Sequence, residues 1–453
     1  MLWFQIGYMV IYVGPADATP DLAPDPLARA YKLALLAVSA VLIASHAALA
    51  RALSRRLNAF FWAFLVLAAA SLAWSIDQPV TATRLVALAS VVAVCFAFGV
   101  GAWNRRRLQD VVRPAITVIL LASLLVGLFD PSLVKEAGNT ISLKNAWRGL
   151  TSQKNLFGEL ATFGVIFWVH GWLAREVRGS VALLGTALAV GCLILSRSST
   201  SWFAAAFTAA FIFILMRSAH VSRRYLAVVV GVFAAICVTY GIALMNVVPG
   251  LEKFVFDPVT ALTGKNLTFS GRTVIWRIIG RNIARHLLAG SGYAAYWGAG
   301  PVPSSPSYAF VVWGFWPTES HNGYLEILND LGILGLACLL GYLSVYLRQA
   351  VRLFRVDRSQ ATLFLALLFY QALLNLSEST WLDLDNFCFT IMTVATVLLA
   401  RAEVEYRRGR YAASGARAGS GTVLRRAPRA GPPGAALHGV FSRLVRTHSG
   451  DPG

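Results

Sequence analysis

"HNGYLEILNDLGILGLACLLGYLSVYL" (His321–Leu347) carries no Lys or Arg and only two acids. At about 1.5 Å per residue it outreaches the ~30 Å hydrocarbon core of a bilayer. It reads as a membrane helix with a histidine and an asparagine at its lip. Runs of the same kind recur along the chain. They place about twelve spans: Leu2–Val13, Tyr31–Ala50, Ala59–Ser75, Val80–Trp103, Val111–Phe129, Asn155–Leu173, Val181–Leu195, Trp202–Met216, Tyr225–Met245, His321–Leu347, Ala361–Leu376 and Asn386–Ala400. The first is short for a span, and no Lys or Arg precedes its apolar part, so it is a poor signal peptide.

Composition agrees. Hydrophobic residues make up 57% of the chain and charged residues 13%, with a mean hydropathy of +0.62; soluble domains are about one quarter charged. The apolar runs are continuous and do not alternate, which excludes a β-barrel. The fold class expected is an all-α integral membrane protein.

A net charge of +19 raises nucleic acid as a partner. Its placement argues against that. When loops are assigned alternately to the two sides, essentially the whole surplus falls on one of them. That side holds Arg51, Arg55, Arg56, Arg105 to Arg107, Arg113 and the tail arginines. This is the positive-inside bias, so that side and both termini are expected to be cytoplasmic. The tail, residues 401–453, is basic, Ala-Gly-Arg-Pro rich and expected to be disordered. The loop at 246–320 is long and rich in aromatic residues, on the opposite side, and is expected to be ordered. The five cysteines all fall in spans without metal-ligand spacing and read as packing residues.

Charged groups at membrane depth are costly and therefore informative. Four places on the non-cytoplasmic side carry them. "LTSQKNLFGE" (Leu150–Glu159) puts Lys154 and Asn155 at a helix start; the plainer reading is a lysine reaching for the interface. "LILSRSSTSWF" (Leu193–Phe203) sets Arg197 among hydroxyls in a tight turn, either as an anchor or as a planar fork for phosphate. "FSGRTVIWRIIGRNIARHLLAG" (Phe269–Gly290) forms an amphipathic helix that Ser270 can cap. Arg277, Arg281 and Arg285 share a face suited to lipid headgroups, with Arg272 apart in the first turn. Finally, His321 is either a capping residue or a group able to take a proton near neutral pH. Tyr324 would share its helix face, and Glu326 would point elsewhere. "WLDLDN" (Trp381–Asn386) resembles a metal cluster only weakly and reads as a helix entry cap. Several cations with one possible base suit a transfer in which a sugar leaves a diphosphate for a hydroxyl, with cations in the place of a metal.

"LAWSIDQP" (Leu72–Pro79), "SQKNLFG", "LSRSSTS", "SGRTVIW" with "GSGY", and "SHNGYLEILNDLGILGL" occur in the order seen in the O-antigen ligase and Wzy-type polymerase superfamily. The chain resembles that superfamily over roughly residues 58 to 400, and most resembles its exopolysaccharide polymerases of the succinoglycan type. The resemblance implies a GT-C-like glycosyltransferase of the bacterial inner membrane that works without metal or cofactor at the periplasmic face. The donor would be a glycan on undecaprenyl diphosphate, the acceptor a second glycan, and a chain-length regulator a possible partner. It assigns catalytic roles to Arg197, Arg272 and His321, and donor binding to Lys154. Asn322 and Tyr324 are expected to orient His321 or the sugar. Rival readings are a ligase that transfers glycan to lipid A core, with the same residues, and a lipid-linked sugar flippase.

Overall fold

The structure, a computed structural model, describes residues 2, 26–137, 145–217, 223–244, 248, 250, 251, 253, 272–298, 318–384, 386–409 and 411. The span expected at Leu2–Val13 apart from Leu2, most of the 246–320 loop including Ser270, and residues 412–453 of the tail lie outside these. The described chain is helical: α1 (Pro26–Ser45), α2 (Ala47–Ser54), α3 (Ala59–Ala70), α4 (Gln78–Val100), α5 (Arg107–Phe129), the single turn α6 (Pro131–Val134), α7 (Lys154–Leu173), α8 (Gly179–Ser196), α9 (Ser199–Arg217), α10 (Arg223–Leu244), α11 (Arg272–Arg285), α12 (Gly323–Leu353), α13 (Arg358–Leu374) and α14 (Phe387–Arg407). Extended pairing among the described residues is limited to one bridge, Lys135 with Trp147.

Of the spans expected, seven stand among the described residues as straight helices long and apolar enough to cross a bilayer: α4, α5, α7, α8, α9, α12 and α14. The run read as one span over Tyr31–Ala50 is α1 and α2, bent by 97°. Residues 59–73 and the apolar part of α10 are shorter helices. α13 is only 17 residues long, yet every residue from Ala361 to Gln371 is buried. An enclosed helix need not match the bilayer, because its neighbours rather than lipid cover it.

Helix starts follow local chemistry. Asn58, Asp77, Asn322, Asp357 and Asn386 each accept backbone N–H groups of the turn they open. Asn386, the last residue of "WLDLDN", supplies the entry cap expected there. α14 runs on to Arg407, so the first residues assigned to the tail close a helix. There Arg401 and Glu405 form an ion pair at 2.9 Å, both nearly enclosed. Large apolar side chains on the perimeter, among them Val41, Phe129, Leu183, Val238 and Leu340, stand exposed. They are the belt that lipid covers.

Helices run back and forth between two ends. One end gathers arginines: Arg105 pairs with Asp357 at 3.0 Å, Arg113 with Glu176 at 2.6 Å, and Arg358 donates to the Leu215 carbonyl at 2.7 Å. The other end gathers Lys154, Arg197, Arg272 and His321.

α12 is broken inside. Gly332 has φ 64° and ψ −161°, which interrupts the helical ladder. The freed groups are taken by the segment after α11: Ser291 N–H donates to the Asn329 carbonyl (2.9 Å), Gly292 N–H to Asp330 (3.0 Å), and Ile333 N–H to Leu287 (2.9 Å). A Cβ on Gly290 would enter the backbone of Asp330, and one on Gly332 that of Leu288. Both glycines also hold positive φ, so each is required twice over. This seam clamps α11 onto α12 and so fixes Arg272 relative to His321.

Candidate functional site

The centre of the site is a residue outside the sequence-level candidates, Glu378. It sits in the loop between α13 and α14. Asn375 shapes that loop by accepting N–H bonds from Thr380 (2.8 Å) and Trp381 (3.1 Å). The Glu378 carboxylate is 4% exposed. One oxygen accepts from Arg272 Nη2 at 2.9 Å and from Asn155 Nδ2 at 3.0 Å; the other faces His321 Nδ1 at 3.4 Å. Burial alone would raise its pKa, but Arg272 and His321 outweigh that and hold it below the usual carboxylate range.

His321 is not on the helix. Asn322 is the N-cap of α12 and His321 precedes it, with φ +52°. A histidine tolerates this left-handed conformation at a modest cost. The shared helix face with Tyr324 is therefore corrected. Nδ1 of His321 also lies 3.0 Å from Glu319 Oε1. Burial opposes the imidazolium, yet Glu319 and Glu378 prevail and raise its pKa to about 10. The expected neutral base is thus a cation at neutral pH. Folded-state pKa exceeds the unfolded ~6.5, so its stabilisation is complete below that value and is lost as pH rises through about 10.

Lys154 opens α7, and its backbone N–H is accepted by the Glu136 carboxylate. Burial pushes the Glu136 carboxyl up, against the pull of the Lys154 N–H and charge. The Lys154 ammonium feels the charges of Glu136, Glu378, Arg197 and Arg272. Arg197 is the left-handed C-cap of α8 and is exposed at the tip of its turn. The turn reaches the site because α7 carries Gly158, whose missing Cβ leaves room for Ser196, Ser198 and Ser201. Arg272 lies in the first turn of α11, turned to Glu378, while Arg277, Arg281 and Arg285 are exposed as expected. Trp276 Nε1 ties this helix to the Ser320 carbonyl at 2.9 Å.

Asn322 and Tyr324, expected to orient His321 or the sugar, are both hydrogen-bonded within the protein. The Asn322 side chain is occupied by the Leu376 carbonyl and two helix N–H groups; the Tyr324 hydroxyl donates to Ala372. Both position the turn that presents His321. Glu326 accepts from Trp297 and from Ser320 N–H, away from His321, as expected. Glu319, His321 and Glu378 bring three metal-ligand atoms within 4.8 Å of one another. Of these, one Glu378 oxygen already accepts from Arg272 at 2.9 Å.

Gly323 follows immediately, and its N–H reaches the carbonyls of Asn375 and Glu378 at 2.9 and 3.0 Å. A Cβ there would meet the Asn375 side chain. Gly323→Ala is expected to cost ~1–3 kcal/mol by overpacking, seen as a lowered melting temperature in detergent together with lost activity. A wild-type melt and wild-type turnover would contradict this packing.

Glu378, Glu319 and Glu136 were missed by sequence reasoning, and Asn155 was read only as part of a helix start. The one available signal was "NLSEST" (Asn375–Thr380), an acid between two apolar runs. In comparison with known proteins, residues 184–340 match the O-antigen ligase family model, a segment that contains Arg197, Arg272 and His321. The chain is also similar to an exopolysaccharide production protein, ExoQ, of Rhizobium meliloti. The two are 26% identical over 348 residues, 72% of this chain and 74% of the relative.

Proposed function

Taking the chain as a member of the O-antigen ligase superfamily, in its exopolysaccharide branch, we propose that it polymerises lipid-linked oligosaccharides. The donor is a glycan repeat on undecaprenyl diphosphate, used at the periplasmic face. The observation that carries this reading is the buried Glu378 held between Arg272 and His321, with Lys154 in electrostatic reach of Glu378, Arg197 and Arg272.

The acceptor hydroxyl oxygen attacks the anomeric carbon. The bond from that carbon to the diphosphate oxygen breaks, and its electron pair leaves with the diphosphate. Arg197 and Arg272, with Lys154 and the His321 imidazolium, offset the charge that grows there. The hydroxyl proton passes to the Glu319–His321 pair, in which the Glu319 carboxylate is the acceptor at neutral pH. An incoming diphosphate competes with Glu378 for Arg272, so donor binding remodels the ion pair seen here.

Membrane vesicles with a synthetic lipid-linked repeat test the reaction. Arg197→Lys keeps the charge but removes the two-pronged fork, and is expected to lower turnover about ten- to a hundredfold; unchanged turnover would remove Arg197 from the diphosphate site. Full activity in EDTA is expected, and recovery dependent on added Mg²⁺ would replace the arginine-based account with a metal-based one. A ligase would use the same residues with a different acceptor. Short chains accumulating in a deletion strain indicate the polymerase, and full-length chains left on the carrier indicate the ligase.

A further inference from the structure

At the arginine-rich end, far along the helices from Glu378, a groove of about 500 Å³ opens between α2 and the end of α14. Its walls are Ala52, Arg55 and Arg56 on one side and Val404, Arg407 and Arg408 on the other. We propose that this groove binds the phosphates of an anionic phospholipid, best a headgroup that carries two of them.

Depth is the first argument. α2 turns 97° away from α1, so with α1 upright α2 lies along the membrane surface. Its Ala50 and Leu53 are buried while Arg51 and Arg55 are exposed, the pattern of an interfacial helix. The groove therefore lies at phosphate level. Charge is the second. Four guanidinium groups meet one carboxylate, Glu403, which takes Arg56 at 3.3 Å and Arg407 at 3.1 Å. That acid holds one arginine from each wall in place, and a net positive charge remains. Among the described residues, no ion pair or hydrogen bond engages the Arg55 and Arg408 side chains. Helix C-terminal dipoles offset only part of this charge. Shape is the third. Ala52 and the buried Val404 give an apolar floor against which a glycerol backbone can rest, beneath planar forks that match phosphate oxygens. The chain's own tail is the wrong occupant. Residues 412–453 contain six arginines and a single acid, Asp451.

The full-length protein, purified in a neutral detergent, is titrated with diphosphatidylglycerol, phosphatidylglycerol, phosphatidylcholine or inorganic pyrophosphate. Thermal melting and native mass spectrometry read the binding. Diphosphatidylglycerol is expected to raise the melting temperature at the lowest concentration. The double variant Arg55→Gln with Arg408→Gln should raise its half-saturating concentration roughly tenfold or more, with Arg51→Gln, on the same helix outside the groove, close to wild type. An unchanged titration in the double variant would overturn the site. So would an equal shift from Arg51→Gln, which means diffuse surface charge, or from phosphatidylcholine, which means a detergent effect. Pyrophosphate as potent as the lipid would make it a site for soluble anions and overturn the lipid assignment.

Discussion

Glu378→Gln is expected to reduce glycan transfer by ~10²-fold or more, with the protein still inserted in the membrane. The amide keeps the size of the carboxylate and one acceptor oxygen, but it removes the charge that Arg272 and His321 share at 2.9 and 3.4 Å. Removing one partner of a buried ion pair costs up to ~3–5 kcal/mol, because the remaining charge stays desolvated. Arg272 is 18% exposed, which keeps the loss toward the lower end of that range. The effect reaches three elements together: Asn155 on α7, Arg272 on α11 and His321 before α12 all close on this carboxylate. Turnover of a lipid-linked repeat, with melting temperature recorded alongside, checks it. Wild-type turnover in Glu378→Gln would mean that the cluster is structural and the chemistry is elsewhere.

His321→Ala is expected to lose ~10²–10⁴-fold, the range for a residue that handles protons and charge in the transition state. The pH profile distinguishes its role. With the imidazolium held to about 10, activity should show no step from His321 between pH 6 and 8 and should fall as pH approaches that value. A neutral histidine base with an ordinary pKa near ~6.5 would instead give a rate that rises through that pH. Such a rise, absent in His321→Ala, would overturn the assignment of His321 as a cation and of Glu319 as proton acceptor.

The class of the molecule was legible because a bilayer leaves little choice: 57% apolar residues in long unbroken runs have few other uses. Lys154, Arg197, Arg272 and His321 stood out for the complementary reason, since charge at an apolar boundary is expensive. Glu378 was not. Its partners lie 57 and 106 residues away in sequence, and a carboxylate in a loop ordinarily stays in water. Asn322 and Tyr324 drew attention as polar residues beside a histidine, but residue type does not tell a cap from a ligand. The spans were least legible where tertiary contacts override hydropathy. Nothing in the apolar run of Tyr31–Ala50 announces a 97° bend, and α13 is shorter than a free span because other helices enclose it. The break at Gly332 depends on Gly290, which arrives from the end of a loop forty residues earlier in the chain.

The most direct test gives purified protein in sealed vesicles a synthetic repeat unit on undecaprenyl diphosphate and follows both products. Wild type should lengthen the glycan and release free lipid diphosphate in step, and Arg197→Ala, Arg272→Ala and His321→Ala should each cut both products at least ~10²-fold. Donor left intact by the wild type, or three variants that turn over as fast as it does, would contradict a single transfer site built from these residues.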